Sequence, residues 1–236
     1  MIDKIQLTLY EIFGYLLPGA IGTTAVAIFY WGACLPHAIF PVYKVHPDTI
    51  GWAVLTGISY LFGHLAQGLG TKYLKGAEKT ALENGEIVPS AIVSSAKVRA
   101  ATIAGVRSED IDSVSLFRLA DEYALQKGAL GDREVFVYRE GFYKGCTVAL
   151  ALLSIALLVR SFLETTAVGF PTYTYYVSPI QLLTAALVAA VASRLCRQRF
   201  KRFGIYRVSR AVFAFLVLSK KCQILAELSK GAKNDA

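Results

Sequence analysis

The fold class this sequence predicts is all-α: a polytopic membrane protein with four transmembrane helices, a helical cytoplasmic segment between the second and third, and an amphipathic C-terminal helix. Three observations predict it. Of the 236 residues 55% are hydrophobic, and the mean hydropathy is +0.47, more apolar than a water-soluble domain of this length usually carries. The formal charge is nevertheless +8, so the cations have to lie outside the apolar stretches. Those stretches come as four windows close to the ~20 residues a helix needs to cross a hydrocarbon core of roughly 30 Å.

The first window, Ile12 to Cys34, contains Pro18-Gly19. Proline removes a backbone donor and crowds the preceding turn, so a bend is expected there, as a hinge or as a static kink. No Ala-x-Ala site follows this window and the start, Met1-Ile-Asp-Lys, lacks a strongly basic region, so the stretch is expected to stay in the mature protein. The second window runs from Ile50 to Thr71. The third, Phe142 to Val159, is short but extended by Phe142 and Tyr143 at one interface and by a snorkelling Arg160 at the other. The fourth, Val177 to Leu195, holds Gln181 near its outer end, where a polar group costs less than at midplane.

Between the second and third windows, Ser90 to Ala104 reads as a helix bracketed by Pro89 and Gly105. Ser108 is expected to cap the next helix, with Glu109, Asp110 and Asp112 favourable to its dipole and Gly128 closing it. Asp132 then caps a last helix that runs through Phe136, Phe142 and Tyr143 into the third span. At the carboxyl end Val208, Val212, Phe215, Cys222 and Leu225 fall on one side of Phe203 to Lys230, an amphipathic helix suited to a membrane surface or a neighbouring subunit. The chain thus divides into a first hairpin (1–71), a cytoplasmic helical segment (72–140), a second hairpin (141–196) and a basic amphipathic tail (197–236).

Orientation follows from lysine and arginine beside the helix ends. Lys72, Lys75 and Lys79 follow the second window, Arg133, Arg139 and Lys144 precede the third, and Arg194, Arg197, Arg199, Lys201 and Arg202 follow the fourth; the opposite loops carry Lys44 and Arg160. Both termini are therefore expected in the cytoplasm, with Leu35 to Thr49 and Ser161 to Tyr176 outside. Cys34, Cys146, Cys196 and Cys222 have no metal-site spacing and make a disulfide framework improbable.

Two constellations bear on function. On the second window Thr56, Ser59, Gly63, Ala66 and Gly70 form a small-residue stripe that lets another helix approach closely, expected to serve a homo-oligomer. One step round lie Tyr60, His64, Gln67 and Thr71, a polar stripe; on the first window Glu11, Tyr15, Pro18 and Gly22 share a face. Polar and ionisable groups inside a span are candidates for a pore or helix interface, so Glu11, Pro18, Tyr60, Gly63, His64 and Gln67 are singled out. The plainer reading is that Glu11 sits at the headgroup boundary and His64 binds within the bundle. The second constellation is the basic block from Arg194 to Lys221. Arg199, Lys201, Arg202, Arg207 and Arg210 are expected to bind anionic lipid or a phosphate-rich ligand, although no aromatic stacking platform is evident among them. Enzyme signatures are absent: no phosphate-cradling glycine loop, no HExxH, no GxSxG and no paired carboxylates in a span. His37, His46 and Asp48 share an outer loop without a register that fixes a metal site, and no cofactor is expected.

The opening Leu9-Tyr-Glu-Ile-Phe-Gly-Tyr-Leu-Leu-Pro-Gly-Ala-Ile21, with its Tyr-x-x-x-Gly-Tyr-x-x-Pro-Gly pattern, resembles the start of uncharacterised bacterial membrane proteins, some of them encoded in phage-defence operons. Arg133-Glu-Val-Phe-Val-Tyr-Arg-Glu-Gly-Phe-Tyr-Lys144 is similar in style. The resemblance implies an oligomeric effector of the bacterial inner membrane, as in CBASS-like or Hailong-like systems, whose conductance a partner enzyme's nucleotide or oligonucleotide controls. The alternative is a non-conducting anchor or adaptor that recruits a cytoplasmic protein.

Overall fold

The computed structural model describes residues 12–31, 49–74, 82, 88–129, 133–163 and 178–234. Glu11, Asp132, and residues 32–48 and 164–177, which include most of the two expected outer loops and with them His37, His46 and Asp48, lie outside the described residues; Thr49 and residues 161–163, expected in those loops, are helical. Those described are helical, with no strand among them. A π-helical turn, Ile12–Leu16, leads into α1 (Leu17–Trp31); then come α2 (Thr49–Tyr73), α3 (Ser90–Ala104), a 3-10 turn (Ser108–Asp110), α4 (Ser113–Gln126), α5 (Arg133–Leu163) and α6 (Pro179–Asn234). Among the described residues three stretches are long and apolar enough to cross a membrane: Ile12–Tyr30, Val135–Leu163 and Pro179–Lys220. The helix α2 has 25 residues, enough in length at 1.5 Å per residue, but it is not among the three; His64, Gln67 and its five glycines dilute its apolar character.

The chain forms two compact units. The first holds α1, α2, α5 from Tyr138 onward and α6 as far as Phe200. Its helices alternate in direction. A Cβ added at Gly19 would collide with the Ser59 carbonyl, one at Gly63 with the Tyr15 backbone, and Gly14 lies against Gln67, so α2 runs antiparallel to α1 at backbone contact. Helix α5 runs parallel to α1: Gly145 sits against Pro18 near one end, and Arg160 bonds the carbonyls of Ile28 and Phe29 near the other. Helix α6 returns antiparallel to α5, with Ser154 Oγ donating to the Ala186 carbonyl at 2.9 Å and Ser193 Oγ to the Thr147 carbonyl at 2.8 Å. Ala25, Ile28, Ala156, Leu157, Leu182 and Ala186 close the α1, α5 and α6 junction.

Helix ends in this unit have identifiable causes. Arg160 donates through Nε at 2.9 Å and Nη2 at 2.5 Å to two of the last carbonyls of α1, which no later turn can satisfy. It therefore caps α1 as well as ending α5. Gln181, expected as a lone polar group in lipid, is half of a capping box: Gln181 N–H donates to Ser178 Oγ at 3.3 Å and Ser178 N–H to Gln181 Oε1 at 3.0 Å, with Pro179 at the first helical position.

The second unit holds residues 76–137 and 201–236. Val93, Ala96 and Ala100 of α3, Leu116, Phe117 and Ala120 of α4, and Val208, Ala211, Val212 and Phe215 of α6 share one buried core. This corrects the expected tail. Val208, Val212 and Phe215 of its apolar face are covered by α3 and α4 of its own chain, and it is the unbroken continuation of α6 rather than a separate surface helix. The segment and the tail, expected as separate regions, join in one core. The cap of α4 is Asp112, whose Oδ1 accepts from Ser115 N–H at 2.7 Å, and not Ser108, which opens the 3-10 turn. Hydrogen bonds from the Ser115 side chain and from its backbone N–H hold the Asp112 carboxyl below the usual carboxylate range. Gly105 and Gly128 end α3 and α4 at φ 69° and 67°, a left-handed conformation that favours glycine. Asp121 and Arg133 form a bidentate pair, Nη2 to Oδ2 at 2.7 Å, that ties α4 to the start of α5.

Candidate functional site: a ring cluster and a half-buried amide

The small stripe of α2 is occupied by α1, by the π-helical turn before it and, at Gly70, by Lys144 of α5. Ser59, Gly63, Ala66 and Gly70 are buried and Thr56 is exposed. Because a Cβ at Gly63 would strike the Tyr15 backbone, this stripe packs within the chain, and assembly of several copies would have to use another face.

The polar stripe beside it divides in two. Tyr60 and His64 face outward, Tyr60 at 39% exposure, and they meet Tyr15 from the π-helical turn. The Tyr15 and His64 rings stack at 3.9 Å and 20°, Tyr60 stands edge-on to His64 at 4.7 Å, and the two tyrosine centroids are 5.7 Å apart. Three rings bearing hydroxyl and imidazole groups thus form one cluster on the outside of the α1 and α2 pair. The four-residue spacing of Tyr60 and His64 was visible in the sequence. Tyr15 joins them because Gly63 brings the two backbones together.

Gln67 turns the other way. Its Nε2 donates to the Gly14 carbonyl at 2.9 Å. The position of this bond has a cause: an α-helical turn would bring the N–H of residue 18 to that carbonyl, and Pro18 has none. Pro18 itself is fully buried. On the far side, a Cβ built at Gly141 would lie 3.4 Å from Gln67 Nε2, and one at Gly145 would lie 3.1 Å from Pro18 and 3.4 Å from Gln67. One turn on, Lys144 lies across Gly70, its Nζ 3.4 Å from Thr71 Oγ1 and 5.5 Å from the Phe200 ring centroid. Of the residues singled out from sequence, the structure therefore gathers Pro18, Gly63 and Gln67 at one helix junction and sets Tyr60 and His64 on the surface beside it.

The basic block does not converge. Arg199 and Lys201 are exposed, and Arg202 lies over Tyr206 of its own helix at 5.6 Å. Arg207 lies over Phe117 at 5.0 Å and Arg210 over Phe136 at 5.2 Å, with Phe136 also against Phe203. Aromatic faces do accompany these arginines, contrary to the sequence reading, because α4 and the start of α5 supply two of them. Such contacts contribute roughly 0.5–1 kcal/mol each at exposed sites and fix the second unit internally.

The groove between α5 and α6 is lined by leucine, isoleucine, valine and alanine; its two polar side chains, Gln181 and Thr184, bond their own helix end and the Ile180 carbonyl, so it carries no chemistry. Among the described residues no group of three His, Cys, Asp or Glu could hold a metal ion. Compared with known proteins, the chain matches no family model, no curated protein and no solved structure, so its own geometry carries the functional argument.

Proposed function

We propose that this chain is an oligomeric, channel-like effector of the bacterial inner membrane, with α2 as a fourth span and both termini cytoplasmic, which permeabilises that membrane when its cytoplasmic part is switched. The observation that carries the reading is the outward ring cluster of Tyr15, Tyr60 and His64. Facing hydrocarbon, its polar atoms would lose water without gaining partners, at several kcal/mol per unsatisfied group; facing a second copy or a water-filled path, they would not. Four helical segments of alternating direction support the four-span layout. Helix α5 continues from Arg133 to Leu163, which provides a covalent route from the switched part to the span. A nucleotide or oligonucleotide made by a partner enzyme is the proposed switch, with Arg199, Lys201 and Arg202 as its exposed cations.

Cross-linking in native membranes tests the assembly. A single cysteine replacing Tyr60, on a cysteine-free background, should form an inter-subunit disulfide under mild oxidation, and one replacing Leu65 should form less. Equal cross-linking at both positions, or none at either, contradicts an interface at the ring cluster.

A further inference from the structure

We infer that Gln67 is a latch: its side-chain amide replaces the backbone donor that Pro18 lacks, and so holds the bend at the start of α1 in one position. Four observations converge on this. The carbonyl four residues before Pro18 belongs to Gly14, and that is the carbonyl to which Gln67 Nε2 donates at 2.9 Å. The backbone there is already displaced from α-helical geometry, as the π-helical turn Ile12–Leu16, which accommodates the proline ring. Pro18 is fully buried and Gly19 lies at backbone contact with Ser59, so the bend is packed rather than loose. Finally, Gly141 and Gly145 of α5 form the back wall of the amide's seat, where a Cβ at Gly141 would touch Gln67 and one at Gly145 would press on Pro18.

The latch thus joins three helices at one amide. While it is closed, the turn carrying Tyr15 is fixed against α2. A displacement of α5 shifts the glycine wall behind Gln67, and the Gly14 carbonyl then loses its donor. The sequence read Pro18-Gly19 as a hinge or a static kink; the latch makes it a kink whose release depends on α5. This holds whether or not the assembly conducts ions.

A double-mutant cycle tests it. Gln67→Met keeps the volume and removes the donor, so the melting temperature in detergent should fall by about 2–8 °C. Pro18→Ala supplies an N–H to the same carbonyl, so in the Gln67→Met background it should recover part of that loss, and the double variant should lose less than the two single losses added together. Labelling of a cysteine replacing the exposed Phe13 should quicken several-fold in Gln67→Met and slow again in the double variant. Strictly additive losses, or unchanged Phe13→Cys labelling in Gln67→Met, would each overturn the latch. If Gln67→Met fails to accumulate in membranes, restored accumulation on adding Pro18→Ala supports it and continued failure overturns it.

Discussion

Glycine does opposite work in the two units. In the first, Gly19, Gly63 and Gly70 are needed for what they lack: a Cβ at each would meet a neighbouring helix's backbone or the Lys144 stem. In the second, Gly105 and Gly128 have nothing within 4 Å of a Cβ and are needed for their positive φ at helix ends. The cores differ in the same way. The first unit joins its helices through glycine, alanine and hydroxyl groups that bond facing carbonyls, whereas the second buries Leu116, Phe117, Val208, Val212 and Phe215. Lipid gives helices no hydrophobic reason to associate, so close backbone approach and a few polar bonds must hold them; water supplies that drive, and large side chains use it. The contrast is what the proposed arrangement, with the first unit in lipid and the second in water, requires.

Replacing Gly63 by leucine attacks the first kind of packing and should have the largest effect. Backbone cannot yield as a side-chain tip can, so docking of α1 on α2 should be lost at above about 4 kcal/mol. Thermal melting should show this even in detergent-dispersed monomers. Loss of oligomers with an unchanged monomer melt would mean that Gly63 works between chains after all. Phe215→Ala attacks the second kind and should cost about 3–4 kcal/mol, through a cavity among α3, α4 and α6. Hydrogen exchange should then rise in α3 and α4, and a rise confined to the carboxyl end would contradict the shared core. Arg160→Met keeps the apolar stem and removes two bonds to the end of α1, for a loss of about 1–2 kcal/mol, and proteolysis after residue 31 should quicken. Unchanged proteolysis would deny Arg160 its capping role.

The smallest expected effect concerns Asp112. Its folded carboxyl titrates below the ordinary range because Ser115 bonds the charged form. A depressed folded value means that the contribution is present above the unfolded carboxylate pKa and lost as pH falls through the folded one. Asp112→Asn should therefore flatten the acid limb of the second unit's stability slightly while leaving neutral pH nearly unchanged, as asparagine also caps. An acid limb identical to the parent's would remove Asp112 from it.

Much of the fold could be read from local pattern. Pro89 and Gly105 bracket α3 as expected, and the continuous α5 was visible in the apolar register from Phe136 to Tyr143. Where several caps competed, local reading chose Ser108, although Asp112 stands immediately before the helix. Ser178-Pro-Ile-Gln181 carried a capping-box signature, but its place at the end of an apolar window directed the reading toward lipid. The amphipathic face of the tail was plain, while its cover came from α3, more than a hundred residues away. At the junction, residue types were legible and partners were not: Gln67 and Gly14 are 53 residues apart, joined through a donor that a proline withholds.

The most direct test of the proposed function is potassium release from liposomes containing the inserted protein, measured for the parent and for His64→Leu at matched oligomer size and melting temperature, with and without a short oligonucleotide. The parent should leak, more strongly with the oligonucleotide, and His64→Leu should leak several-fold less. Liposomes that stay sealed with the parent in both conditions would contradict the channel and favour an anchor that recruits a cytoplasmic partner.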